Sequence, residues 1–303
     1  MRPGQAPQKG NATWQGLIRR VVMTRFRIVT DSTCYLDPEW LSGHGVAMVP
    51  LLVSMGGKVV KEVVDTDNRE FYRYLRQAQQ LPTTSQPSAG EFMDVYQRLG
   101  QEGLPIISVH ISGGISGTVN SASQAREMLP DLDIAVVDSK TTGLGLGHMV
   151  MELVEMAEAG KSKEEALLRL RQMVERSMSF FIVADLMYLH KGGRIGGAQA
   201  LIGSALQIKP ILHLKDGKID VLEKVRTERR AIDRIVDRML ETLAGRQPRR
   251  IAAVHADAPE KAQALVRSIE GRLPGETVGV FEIGPVIGTH TGPGLLGLQF
   301  HFD

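Results

Sequence analysis

The chain has 303 residues, long enough for two domains or one large α/β domain, and 36 Lys and Arg against 34 Asp and Glu leave a formal charge of only +2. That balance gives no electrostatic footprint for nucleic acid, and 2 Trp, 5 Tyr and 8 Phe leave little on which to stack bases. The single cysteine, Cys34, excludes a disulfide framework and a multi-cysteine zinc site and fits a reducing cytoplasm, while the scattered histidines form no His-x-x-x-His pair for a metal.

No apolar run reaches the ~20 residues of a membrane span. Residues 1–24 predict a disordered extension: they are polar with Pro and Gly, and Arg19 and Arg20 break the one apolar stretch before it could serve as a secretory core. Met23 is a candidate natural start, which the N-terminal mass of the native protein would test. Phe26–Val29 reads as a strand ending in the polar turn Thr30-Asp31-Ser32-Thr33, and in open parallel sheets ligands collect at that carboxyl end. Val46–Val53 and Lys58–Val64 read as two more strands around Gly56-Gly57. Asp67 and Glu70 form a capping box that opens a helix to about Gln79.

Leu81–Ser88, LPTTSQPS, is held extended by its two prolines and gathers four hydroxyls and an amide. Ser88 and Glu91 cap the next helix, with Phe92, Val95, Tyr96 and Leu99 on its buried face. Pro105–Thr118, PIISVHISGGISGT, is strand, glycine-rich turn and helix start, the helix continuing through Val119, Ala122, Ala125, Met128 and Leu129. Its glycines let backbone approach a ligand and its helix start offers unpaired N–H groups, which suits a small anion, phosphate or carboxylate. No Lys follows the glycines, so it is not a Walker loop, and a plain turn with a helix cap is the competing reading.

Ile134–Val137 reads as a strand ending in Asp138–Gly143, followed by a helix with Leu144, Leu146, Met149, Val150, Leu153 and Met156 inward. Ser162 and Glu165 cap a helix to about Glu175. Alternation of strands and helices to this point predicts a parallel sheet covered on both faces. The texture then changes. Phe180–Val183 reads as a strand, Ala198–Ala205 as a short helix, and Pro210–Leu214 with Lys218–Val225 as a hairpin over Asp216-Gly217. Ile232, Ile235, Val236, Met239, Leu240 and Leu243 stripe a helix whose approach and other face carry Arg226, Arg230, Arg234 and Arg238, a solvated face or a docking patch for an acidic partner. Arg250–His255, a capped helix from Glu260 and Thr277–Ile283 add a second α/β unit; Gly284–Gly294 reads as a rigid glycine-rich loop and Leu298–Phe302 as a closing strand. The expected organisation is therefore an extension over 1–24, an N-terminal α/β domain over 25–175 and a C-terminal α/β domain over 176–303.

The polar loops supply hydroxyls, backbone N–H groups, one histidine and one arginine, but no convincing catalytic set. Ser116, His290 and Asp31 can be drawn as a triad, yet no Gly-x-Ser-x-Gly elbow supports it, and no acidic cluster stands ready for Mg²⁺. A small-anion phosphotransferase using Ser112–Thr118 stays open.

Six stretches in order resemble the DegV family of bacterial fatty acid-binding proteins: Val29–Thr33, Thr84–Ser88, Ile111–Thr118, Val137–Ser139, Lys191–Ile195 and Gly288–Gly294. Each is weak alone, and the ordered set over about Arg25–Asp303 is specific; the clearest departure from the family pattern is the N-terminal extension, which bears only on where the chain starts. The resemblance implies a two-domain α/β protein, its N-terminal sheet mostly parallel and flanked by helices and its C-terminal sheet mixed, with a long-chain fatty acid in a tunnel between them. It also implies a cytoplasmic carrier with no catalysis or cofactor of its own, serving the ATP-binding subunit of a fatty acid kinase. By the same resemblance Thr84 and Ser116 bind the carboxylate with His290 close by, Ser85 and the Gly117 N–H are additional donors, Arg194 lies near the pocket, and Arg226 engages the kinase. Arg230, on the same basic face, is grouped with Arg226 as a docking residue. A fatty acid-sensing regulator, with that face on another protein or transiently on a membrane, is the further alternative.

Overall fold

A computed structural model describes residues 24–202 and 208–303; the expected extension, except residue 24, and part of the expected helix over 198–205 lie outside the described residues. In chain order the first half runs β1 (Arg27–Asp31), α1 (Pro38–Gly43), β2 (Val46–Val49), β3 (Leu52–Met55), β4 (Lys58–Lys61), α2 (Asn68–Gln77) and β5 (Thr83–Ser85). It continues through α3 (Ala89–Gly100), β6 (Ile106–His110), α4 (Thr118–Glu127), β7 (Ile134–Asp138), α5 (Leu144–Glu158) and α6 (Lys163–Arg176). The second half is β8 (Ser177–Ile182), α7 (Met187–Lys191), β9 (Lys209–Lys215), β10 (Lys218–Val225), α8 (Glu228–Leu243) and β11 (Pro248–His255). It closes with α9 (Pro259–Glu270), β12 (Val278–Glu282), α10 (Pro285–Thr291) and β13 (Leu296–Phe302).

β2-β1-β6-β7 form an all-parallel sheet. Side-chain alternation along its strands divides two cores. Ile28, Val46, Ile107 and Val109 meet Leu146, Met149 and Leu153 of α5 and Leu170 of α6. Val29, Val49, Ile106 and Ile134 meet Phe92 and Tyr96 of α3 and Ala122 and Ala125 of α4. Ser88 and Ser162 each close a reciprocal capping box, fixing where α3 and α6 begin. Asp67 caps α2 from one side only, through Glu70 N.

β10-β9-β8-β13-β11-β12 form a mixed sheet, antiparallel except for the β11–β12 pair. One face packs on α8 and α9 through Ile235, Met239, Leu265 and Ile269. Its other face is covered by a third sheet, β4-β3-β5, with α2 and α10. The sequence does not anticipate this small sheet, because Val46–Val53 looks like one strand. Pro50 lies between β2 and β3, and the two segments enter different sheets. Two further expectations are corrected. Gly284–Gly294 is not a loop throughout: α10 starts with Pro285, a residue suited to a helix's first position, and ends at Gly292 with φ 72°. The helix expected to be capped near Glu260 has Pro259 in its first turn and no side-chain cap.

Candidate functional site

A partly open cavity lies beneath the small sheet, concave and mostly apolar as small-molecule sites are. Its apolar wall comes from Leu51, Ile111, Phe181, Leu189, Val254 and Val286, among others. The polar lining includes Thr84 and Ser85 of β5, Gln86, Ser116, Arg194 and His290. These come from four places in the chain, so the cavity is a product of tertiary structure.

Thr84 reaches its position because β5 pairs antiparallel with β3, Val53 opposite Thr84. His290 is carried by α10. Thr84 Oγ1 and His290 Nε2 are 2.7 Å apart, 206 residues distant in sequence. His290 Nδ1 is buried with no hydrogen-bond partner, and Gly192 packs so closely against it that any Cβ there would collide. Burial, then the Arg194 guanidinium, push the imidazole down to about 4, so it is neutral near pH 7. An unpaired lone pair at Nδ1 is less costly than an unpaired N–H, which places the ring proton on Nε2, donating to Thr84 Oγ1. The Thr84 hydroxyl hydrogen is then free for a ligand.

Ser116 precedes α4, and its Oγ lies 2.9 Å from Thr118 Oγ1 and accepts from Thr118 N at 3.3 Å. Gly117 is the N-cap residue of α4, and a Cβ on it would come within 2.8 Å of Gln86 Nε2, so the two polar loops close on each other. Gly117 lines a neighbouring groove rather than the cavity itself; that groove also holds Gly113, Gly114, Gly193, Lys218, Ser116 and Arg194. Arg194 donates to the Ile115 and Gly192 carbonyls at 3.3 and 2.7 Å, and among the described residues it meets no carboxylate. A guanidinium whose charge is not neutralised, beside neutral hydroxyls and an imidazole, is a site for an anion.

The triad does not form. His290 pairs with Thr84, and Asp31 accepts from His110 Nδ1 at 3.1 Å and from Ile111 N at 2.9 Å. His110 Nε2 in turn lies 2.6 Å from Ser108 Oγ, all three side chains being buried away from the cavity. Arg226 and Arg230 are exposed and lie outside the cavity lining. Their neighbours on the basic face are neutralised: Arg234 pairs with Glu223, Asp237 and Glu241, and Arg238 with Glu223 and Glu241. Sequence reasoning missed a second polar group on the wall, where Gln299 Nε2 donates to Thr142 O at 2.7 Å and Ser179 Oγ at 3.0 Å. Nothing in the strand pattern of β8 or β13 distinguishes Ser179 or Gln299 from ordinary sheet residues. Among the described residues no group of three His, Cys, Asp or Glu could hold a metal, and no helix is long and apolar enough to cross a membrane.

Residues 25–303 match the family described as "Uncharacterised protein, DegV family". Protein DegV of Bacillus subtilis is 37% identical over 276 residues, 91% of this chain and 98% of that protein. Among solved structures, a DegV family protein from Thermus thermophilus described by its fatty acid binding aligns with a TM-score of 0.86 at 36% identity, covering 92% of this chain and 100% of that one. A stearic acid-binding protein from Eubacterium ventriosum aligns with a TM-score of 0.82 at 29% identity, over 91% of this chain and 98% of that one.

Proposed function

Since the chain belongs to the DegV family, whose solved members include fatty acid-binding proteins, we propose that it is a cytoplasmic carrier that holds one long-chain fatty acid and presents its carboxylate to a separate ATP-dependent kinase subunit. The observation that carries the reading is the pairing of an apolar cavity with a polar lining of neutral donors and one unneutralised arginine. The acyl chain contributes roughly 0.8 kcal/mol per buried CH₂, so the wall supplies affinity. Thr84, Ser116 and Ser85 supply hydrogen bonds to the carboxylate, and the neutral His290, donating to Thr84 Oγ1, turns the Thr84 hydroxyl hydrogen towards it. Neutral donors leave a carboxylate oxygen nucleophilic in a way that a bidentate arginine fork would not. The groove over Gly117, Arg194 and Lys218 adjoins Ser116, which supports access for an incoming phosphoryl group. Arg226 and Arg230, exposed beside their neutralised neighbours, are the residues assigned to docking the kinase or, transiently, an anionic membrane. The chain needs no cofactor for this role.

Mass spectrometry of the purified chain, native and then solvent-extracted, is the test. One fatty acid per chain is expected, with Ser116→Ala or Thr84→Ala lowering affinity for added stearic acid about tenfold or more. A clean protein that also takes up no stearic acid would overturn the reading. With ATP and the kinase subunit, acyl phosphate is expected only when all components are present. Turnover of ATP by the chain alone would favour the phosphotransferase, and tight lipid binding that stimulates no kinase would favour the regulator.

A further inference from the structure

Outside the cavity lining sits a buried carboxylate that the carrier reading does not use. Glu62 follows β4, is 0% exposed, and receives three neutral donors. Ser32 Oγ donates to Oε2 at 2.5 Å, Tyr35 Oη to Oε1 at 3.1 Å and Val286 N to Oε1 at 2.7 Å. Ser32 Oγ also accepts from Leu51 N at 3.1 Å, and Tyr35 Oη accepts from Ile287 N at 3.3 Å. The donors therefore belong to the loop after β1 and to the first turn of α10, while Glu62 directly follows β4 of the small sheet and its N–H continues that pairing to Leu51 O.

Two features show that the chain is shaped around this contact. Val63, a β-branched residue, adopts φ 70°, a conformation that such residues rarely take and that costs about 1–3 kcal/mol. The strained turn carries Glu62 inward, its backbone N–H on Leu51 O at 2.9 Å. On the opposite side Gly284 leaves the space: a Cβ there would lie 2.8 Å from Glu62 Oε1 and closer still to Tyr35. Among the described residues no cation stands beside this buried carboxylate, which is costly, and a hydrophobic residue of the same volume would satisfy packing alone. Its geometric effect is specific. The sheet it anchors carries Thr84, and the helix it holds carries His290.

We propose that Glu62 is a positioning residue, tying β4-β3-β5 to α10 so that Thr84 and His290 meet at hydrogen-bond distance. The proposal rests on the carrier reading for its consequence in ligand binding, though not for the geometry. Glu62→Leu keeps the volume and removes all three acceptor contacts. Glu62→Gln keeps an acceptor for Val286 N and Tyr35 and serves as the conservative rescue. Met239→Ala, in the remote core under α8, lowers stability without touching this junction.

The experiment uses the full delipidated chain with ¹⁵N-labelled histidine at about pH 8, well below each variant's melting temperature, with stearic acid as probe. In Glu62→Leu the His290 Nε2 resonance is expected to move as it does in Thr84→Ala, and stearic acid affinity to fall about tenfold. Glu62→Gln should restore most of both, and Met239→Ala should change neither. If Glu62→Leu does not fold, Tyr35→Phe removes one donor and should shift the same resonance by less. Parent-like resonance and affinity in Glu62→Leu, or in Tyr35→Phe where that variant stands in for it, would overturn the proposal. So would an equal change in Met239→Ala. A parent chain that binds no stearic acid, with the His290 resonance still responding to Glu62→Leu, would leave the positioning intact and remove the fatty acid reading instead.

Discussion

His290 and Glu62 lie at the two ends of α10, and burial shifts them in opposite directions because it opposes charge on both. His290 and His301 are each pushed down to about 4 and His148 to about 3, burial being the first cause in all three. Each folded value lies below the unfolded one near 6.5, so each contributes stability above that pH that is lost as pH falls towards 4. Glu62 is pushed up to about 7, again first by burial. Its sign is reversed: stability is complete below about 4.5 and is lost as pH rises through 7, by on the order of 3 kcal/mol. The ionisable groups facing it are Asp31, Tyr35, Tyr72 and Cys34; Tyr35 and Tyr72 are raised well above 10 and Cys34 to about 12, so these three stay neutral through that window. Urea melts should therefore show Glu62→Gln gaining on the parent between pH 5 and 7.5; a constant difference would contradict the shift. At this scale the sequence was informative where chemistry is local. Thr84, Ser85, Ser116 and Gly117 stand in stretches fixed by glycine or proline, and the structure brings Thr84 and Ser85 of β5 and Ser116 to the cavity with His290. Glu62 was not legible, because a glutamate after a lysine in a strand-like run reads as solvent-facing.

α10 shows why an element can be misread although its signals are present. Pro285 and Gly292 mark a helix start and stop, but Gly288 and two threonines between them suggest a loop. The glycine is required by packing. A Cβ at Gly288 would lie 2.7 Å from Tyr72 Oη and 2.8 Å from Phe71 Cε1, and both rings are buried. Tyr72 Oη is itself fixed on Ile283 O at 2.8 Å, so the ring cannot retreat freely. Gly288→Ala would gain about 1 kcal/mol of helix propensity, while overpacking costs roughly 1–3 kcal/mol, and the second effect wins. A lower melting temperature and weaker fatty acid binding are expected, since α10 can yield only by moving His290. A stabilised variant would show that the rings give way instead. By contrast, the helices opened by Ser88 and Ser162 were readable because their caps are reciprocal and local.

At the scale of the molecule, α5 joins the two large sheets. It packs on the parallel sheet, and its Glu152, 7% exposed in its side chain, takes Arg169 from α6 at 2.8 Å and Arg249 and Arg250 from β11 at 2.9 and 3.2 Å. Burial alone would raise Glu152, but the guanidinium groups of Arg169 and Arg249 outweigh it and hold the carboxyl below its ordinary range. Glu152→Ala leaves Arg169 with Asp303 and both Arg249 and Arg250 with Glu155, and should cost about 1.5 kcal/mol in denaturant melts, the loss of charge-assisted hydrogen bonds rather than of every counter-charge. An unchanged midpoint would mean that the cluster is relaxed by solvent. Alternating strands and helices foretold the parallel sheet, and the family resemblance implied the mixed one, yet linear order could not tell that residues 52–85 cover the C-terminal sheet. Nor could residue type separate cavity wall from core, since Val254 and Val286 belong to both. The strand order has one more consequence. β13 follows every other described strand in the chain, yet it lies between β8 and β11 in the middle of its sheet. Until residues 296–302 have left the ribosome, two bare strand edges wait on either side of an empty slot. Gln299 of β13 lines the cavity, so its wall stays incomplete until that strand is in place.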